Sequence, residues 1–424
     1  MLYAEATSSG APRLTLLPHS TRSGSTSTPG LGPPPYLLLG PGGQPIARVI
    51  TTAETCPPAF LAGMSVPMRV RAAPSLAFPV LTCELPVPPS TFAVTINGVT
   101  LPLPTATPQR IAVIGDTGCR LRGAEIQDCN DPNAWPFATV VASIAAMRPD
   151  LILHVGDYLY RESPCPPDRP GCAGSPYGQN WASWRADFFE PAGPLLSQAP
   201  WVFVRGNHED CARAWEGWFR FLDPHPYHPS CQPASEPWVV PLASLSLLVL
   251  DSSSLSDTEL RPAEVALARR HLDALLAQQR GPAWLLTHRP PYGVGHFSNR
   301  PAAQPSNVVL TAAAPARWPE QLTAIVSGHI HLWGVVAFSP SPSQRPVQWV
   351  IGFSGTSLDP GSDPTLEGMS VAGELVAAGS RNLPQEFGFL TFEPAGNSWL
   401  AVARDRNGFP FVRCRQEGKQ VRCA

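Results

Sequence analysis

The chain of 424 residues is long enough to bury one large core with a smaller attached domain, and 43% hydrophobic residues is ordinary for a globular protein. A formal net charge of -2 without clustered Lys and Arg argues against a surface that tracks nucleic acid. No apolar run is long enough to cross a bilayer.

The 52 prolines favour loops, extended segments and rigid turns over long helices. The 10 cysteines are even in number, and their local candidate pairs are Cys56–Cys83, Cys119–Cys129, Cys165–Cys172, Cys211–Cys231 and Cys414–Cys423. Connectivity stays open at this level. No CxxC is present, which weakens zinc-knuckle and thioredoxin readings. Disulfides imply export, to the periplasm or outside the cell. The first twenty residues lack a basic start and a continuous apolar stretch, so a mature chain with its signal peptide removed is expected.

Residues 1–108 are rich in Pro, Gly, Ser and Thr, with short apolar runs at Pro35–Gly40, Ile46–Ile50 and Phe92–Ile96. This spacing predicts a small β-rich domain, closed by a stiff Pro-rich linker over Leu101–Pro108. From residue 109 to 424 the pattern changes to alternating strands and helices. Arg110–Ile114, Leu151–Val155 and Trp201–Val204 read as buried strands, with helices at Trp135–Met147, around Trp181–Phe188, and from Pro262 onward. Ala283–Leu286 and Ala324–Val326 are further strands, and the chain after Val347 is strand-rich. Such alternation predicts an α/β fold in which packed mixed sheets are flanked by helices.

The polar residues just beyond the strand ends carry the chemistry. Asp116 lies in Gly-Asp-Thr-Gly, Asp157 and Tyr160 in Gly-Asp-Tyr-Leu-Tyr, and Asn207 and His208 in Gly-Asn-His-Glu. His288 closes Leu-Leu-Thr-His, and His329 and His331 lie in Gly-His-Ile-His. Each fragment alone is weak, since a Gly-Asp after a strand is usually a turn and a single histidine usually packs. Together, carboxylates, an amide and imidazoles at strand ends are an inventory for metal ions with mixed oxygen and nitrogen ligation.

This ordered set, from Ile111 to His331, resembles the calcineurin-like metallophosphoesterases and, more narrowly, the purple acid phosphatases. Most relatives read Asp-x-His in the first motif, where this chain has Asp116-Thr117-Gly118. The second motif, Gly-Asp-x-x-Tyr, puts Tyr160 where purple acid phosphatases place a tyrosinate on ferric iron. A phenolate is a hard anionic donor suited to a trivalent ion.

The resemblance implies two ions: Fe(III) on Asp116, Asp157, Tyr160 and His331, and a divalent Fe, Zn or Mn on Asp157, Asn207, His288 and His329, with Asp157 bridging. It implies a binuclear hydrolase of phosphate monoesters in which metal-bound hydroxide attacks phosphorus and His208 assists the leaving group. A phosphodiesterase using the same ions is the alternative, and a secreted binding protein that kept the fold is a third reading. A small phosphorylated substrate is expected, without nucleic-acid or membrane partners; oligomeric state stays open.

The chain departs from plant relatives after the fourth motif, where His296 is the remaining histidine that could contact phosphate. It also departs after Gly-His-Ile-His, with Leu332-Trp333. Asp251, His154 and Glu209 are candidates either for orienting a ligand or for a purely local role, and Gly355–Arg381 is a segment that could overhang the site. The loops behind Cys119 and Cys165 would be stiffened at the rim if bridged.

Overall fold

The computed structural model describes residues 32–295, 307–359, 365–383 and 386–424. Its apolar runs form two mixed β-sheets that share one core. The larger, eleven-stranded sheet has Ile111–Ile114, Leu151–His154 and Trp201–Phe203 parallel at its centre. An antiparallel meander from Gly388–Ala395 to Gln420–Cys423 extends one side of it. The seven-stranded sheet has Ser246–Leu250, Ala283–Thr287, Leu322–Ser327 and Val347–Ile351 parallel at its centre.

Alternation of side chains along each strand decides what packs where. Ile111 and Val113 enter the core between the sheets, and Ala112 and Ile114 face helices on the outside. In the second sheet Leu247 and Val249 point inward, Leu248 and Leu250 outward. Both faces are covered, so these strands read as unbroken apolar runs. The helix Phe137–Met147 buries Phe137, Val140, Val141 and Ile144 over the first sheet. Pro262–Gln278 buries Ala268, Leu272 and Leu275 over the second, with proline in its first turn, where no N–H partner exists to lose. The expected α/β sandwich flanked by helices is thus the observed architecture. Trp215, Trp218 and Phe219 pack into the core layer under the first sheet rather than facing the site.

The β-rich N-terminal region is present. Tyr36–Leu39 pairs in parallel with Trp201–Phe203, and Pro45–Thr51, Leu81–Pro86 and Arg69–Ala72 continue the same sheet. A separate four-stranded sheet holds Met64–Pro67, Pro58–Leu61, Val94–Ile96 and Val99–Leu101. The junction is polar at one point. Glu84 takes Arg48 and Arg71 at 3.0 Å each, and both arginines also donate to main-chain carbonyls of residues 219–223, including Phe219 and Asp223.

Breaking a buried pair by removing one partner typically costs 3–5 kcal/mol, because the remaining charges lose their counterion. Glu84→Gln is therefore expected to destabilise the protein by about 3–5 kcal/mol in denaturant unfolding. Burial opposes ionisation of Glu84, but Arg48 and Arg71 outweigh it and hold the carboxyl below its ordinary 4.5. A depressed carboxyl stabilises the fold above its unfolded value and loses that contribution as pH falls through the folded one. The Tm of the wild type should accordingly fall more steeply below 4.5 than that of Glu84→Gln.

All five local cysteine pairs are disulfides, and no described cysteine is free.

Candidate metal centre

The five loops that leave the carboxyl ends of the central strands meet at one place. The larger sheet delivers Asp116, Asp157, Tyr160, Asn207 and His208; the smaller delivers His288, His329 and His331. The loops are laced together by main-chain bonds, Asp116 N to Gly156 O and Thr117 N to Asp157 O at 3.0 Å, and Gly328 N to His288 O at 3.1 Å.

Three of the site residues carry a conformational cost for their aim. Asp116, Asp157 and His329 have φ of 57°, 60° and 72°, the left-handed region that non-glycine residues seldom adopt. Strain of this kind persists where the surrounding structure over-determines it, which is typical of ligand sites. The glycines beside them are required by close approach: a Cβ on Gly206 would strike Asp157, and one on Gly328 would strike the Asp116 carboxylate.

Six of the seven predicted ligands form a contiguous set. The Tyr160 hydroxyl lies 2.9 Å from Asp116 Oδ1, 2.9 Å from Asp157 Oδ2 and 3.0 Å from His331 Nε2. His288 Nε2 lies 3.1 Å from Asp157 Oδ2 and 3.0 Å from Asn207 Oδ1, while its Nδ1 is fixed on Val155 O at 2.8 Å. The seventh, His329, has a ring nitrogen within 4.8 Å of ligand atoms of Asp157 and His288. Asp157 is the one side chain common to both groups.

The electrostatics suit cations. Burial, with the Asp116 and Asp157 carboxylates adding to it, drives the Tyr160 phenol well above its ordinary value. Asp116 is also raised well above the carboxylate range by burial. Burial pushes Asp157 the same way, but His288 and His208 outweigh it and hold that carboxyl well below the ordinary range. His288 keeps its proton up to about 9: burial disfavours the charge, and the Asp157 contact overcomes burial. Two carboxylates, a phenol, an amide oxygen and three imidazoles gathered out of water fit ions of mixed oxygen and nitrogen preference.

The missing first-motif histidine has a physical counterpart. A Cβ at Gly118 would lie 2.6 Å from Tyr158 O and 2.8 Å from Tyr160 N, so the loop that brings Tyr160 in leaves no room for a side chain at 118.

His208 stands apart from the ligand set. Its main-chain N–H donates to Asp157 Oδ1 at 2.8 Å, its ring lies 3.9 Å from that of Tyr160 at a 34° tilt, and its Nδ1 lies 2.6 Å from Glu162 Oε1. Burial depresses the imidazole, with Asp157 and Glu162 acting against burial.

Other candidates take local roles. His154 contacts Thr117 Oγ1 at 3.0 Å and stacks on Tyr158. Glu209 accepts from the main chain of Tyr158, Leu159 and Gly206. Asp251 caps Ser235 and Ser253 and pairs with Arg205, touching none of the candidate ligand histidines. Leu332 and Trp333 are buried core. Of Gly355–Arg381, the Ser357 carbonyl and Asp359 hold His331, and described residues beyond 365 such as Leu366, Val371 and Val376 pack on the outer face of the second sheet. His296 lies outside the described residues.

Two residues that motif reading passed over belong to the site. Glu162, two beyond Tyr160, holds His208. Asp257 Oδ2 meets His329 Nε2 at 3.0 Å, and the Asp257 carboxylate is itself held by Arg289 and by Asn307 Nδ2 at 3.0 Å. The signal for Asp257 was faint, an acid in a polar loop 72 positions from its partner. A carboxylate behind a ligating histidine fixes the ring and raises its basicity, and removing one typically lowers metal affinity 10–100-fold. Asp257→Asn is expected to weaken one of two bound ions by about that factor, read as metal content after dialysis against a graded chelator.

The site opens into a cleft of about 360 Å³ lined by Asp157, Asn207, His208, His329 and His331 and by four arginines. Oxygen- and nitrogen-donor loops gathered at the carboxyl ends of two packed sheets make a site suited to metal ions. The calcineurin-like phosphoesterase model matches residues 109–332, more than half of the chain, and the protein belongs to that family.

Among solved structures, the purple acid phosphatase from yellow lupin (Lupinus luteus) seeds superposes with a TM-score of 0.55 at 14% identity. That match covers 89% of this chain and 72% of the lupin one. PhoD gives a TM-score of 0.55 at 12% identity, covering 93% of this chain and 91% of that one. At such identities the likeness is one of fold. No curated protein matches the chain. The family carries a dinuclear metal centre, and no helix among the described residues is long and apolar enough to cross a membrane.

Proposed function

We propose that the protein is an exported phosphomonoesterase of the purple acid phosphatase type. The observation that carries this reading is Tyr160. Its hydroxyl stands between Asp116, Asp157 and His331, on the loop whose approach excludes a side chain at Gly118. In the proposed assignment Asp116, Asp157, Tyr160 and His331 hold Fe(III), and Asp157, Asn207, His288 and His329 hold a divalent Fe, Zn or Mn. Such ions supply charge neutralisation for an anionic ester and Lewis acidity toward water.

The protein's own groups do the rest. Asp157 keeps the two ligand sets in register. Glu162 forms an ion pair with the His208 ring on its Nδ1 side, at 2.6 Å, which leaves Nε2 as the atom that gives its proton to the leaving oxygen. His296 is assigned as a phosphate contact from its place in the sequence alone. The division at residue 108 is likewise part of the proposal: residues 109–424 carry catalysis, and residues 1–108 act as a structural cap whose strands extend the sheet. Five disulfides support the exported location.

The test is hydrolysis of para-nitrophenyl phosphate beside bis-para-nitrophenyl phosphate across pH, using protein that retains its native metals. Faster monoester turnover with an acid optimum is expected. Faster diester turnover would move the protein to the phosphodiesterases with the same centre. A visible charge-transfer band that disappears in Tyr160→Phe would separately support ferric iron on that oxygen.

A further inference from the structure

The mouth of the cleft contains positive charge that the metal centre does not use. Arg120, Arg122 and Arg213 line it, whereas the carboxylates in salt-bridge distance of them, Glu125, Glu162 and Asp210, do not; Arg120 also lies 5.5 Å over the Tyr160 ring and feels Asp359, which does line the cleft. The guanidiniums of Arg122 and Arg213 therefore line the cleft while the carboxylates paired with them lie outside its lining. Two elements bring them there. Arg120 and Arg122 ride the hairpin of Leu121–Arg122 and Glu125–Ile126, inside the loop closed by Cys119–Cys129. That disulfide packs with Leu121 and Cys172, so the hairpin has a small apolar base of its own. Arg213 comes just after the His208 turn, inside the loop closed by Cys211–Cys231.

The two elements meet on one side chain. Arg122 Nε lies 3.4 Å from Glu162 Oε2, and Arg213 Nη1 lies 3.5 Å from Glu162 Oε1, the oxygen that also holds His208. Both contacts are longer than the 2.7–3.2 Å of a well-made N–H···O bond. Each guanidinium has five N–H groups in a fixed fork, so donors remain for an incoming anion. The Arg122 side chain is 53% exposed and the Arg213 side chain 24%, open to the cleft yet anchored. Because Glu162 joins these arginines to His208, they flank the side of the cleft where the leaving group departs.

We infer that Arg122 and Arg213, with Arg120 beside them, form a second anion subsite that selects monoesters whose leaving group carries its own phosphate or carboxylate. The inference rests on the monoesterase reading above. Disulfide-closed loops keep the guanidiniums in place before binding, so little ordering is needed when the anion arrives.

The experiment compares glycerol phosphate, phosphoglycerate and glycerol bisphosphate, whose leaving groups end in a hydroxyl, a carboxylate and a phosphate. The expected result is a kcat/KM at least about tenfold higher for one or both anionic substrates than for glycerol phosphate, mostly through KM and shrinking as salt is raised. The better of the two identifies which anion the subsite takes. In Arg122→Gln combined with Arg213→Gln the ratio should fall toward one, with partial recovery in Arg122→Lys. Equal kcat/KM for all three substrates in the wild type, or an undiminished ratio in the double variant, overturns the subsite. Loss of all monoester turnover would instead defeat the monoesterase reading. Calorimetric binding of glycerol bisphosphate then decides the subsite, which stands if binding is lost in the double variant and falls if binding is unchanged.

Discussion

Asp157→Asn is expected to lower phosphoester hydrolysis by at least about a thousandfold and to reduce the content of both metals, measured on one preparation by steady-state kinetics and elemental analysis. Asp157 is the side chain that touches both ligand groups, through Tyr160 on one side and His288 on the other. Replacing its charge with an amide removes the anion that would hold two cations together. Asparagine is the informative choice, because it tolerates the left-handed backbone that Asp157 adopts and its Oδ1 can still accept the His208 N–H. The fold should survive, with a Tm near that of the wild type. Activity that persisted in this variant would refute the assigned centre.

His208→Gln is expected to lower kcat by about 10²–10⁴-fold while leaving metal content unchanged. The size should depend on the ester. A poor leaving group such as an alkoxide needs the proton, and para-nitrophenolate needs it much less. The loss should therefore be steep for glycerol phosphate and shallow for para-nitrophenyl phosphate. Equal losses on both would point to a packing role, since the His208 ring also packs against that of Tyr160. Glu162→Gln should reproduce part of the effect, because it removes the carboxylate that holds Nδ1.

Much of the site was legible because its parts lie immediately after buried strands. An apolar run ending in Gly-Asp or Gly-Asn-His marks both a strand and the loop that leaves its carboxyl end, so Asp116, Asp157, Tyr160, Asn207, His208, His288, His329 and His331 could be gathered in advance. The local disulfide pairs were legible for a similar reason, since partners lie 7 to 27 residues apart. Glu162 and Asp257 were not legible as site residues. Their partners lie 46 and 72 positions away, and nothing in a single carboxylate names the histidine it will meet. Asp251 illustrates the reverse, a strand-end acid that binds Arg205 and main-chain amides instead of a ligand.

The sequence by itself determined the alternating α/β pattern, the set of candidate metal donors and the exchange of a first-motif histidine for Tyr160. Those depend on residue type and short spacing. Only the tertiary structure decided that strands before residue 108 extend the larger sheet, that two sheets share one set of candidate donors, and that arginines from two disulfide-closed loops converge on Glu162. These depend on which distant strands pair and which loops meet. Such pairings are set by burying the whole core at once and leave no local trace in the chain.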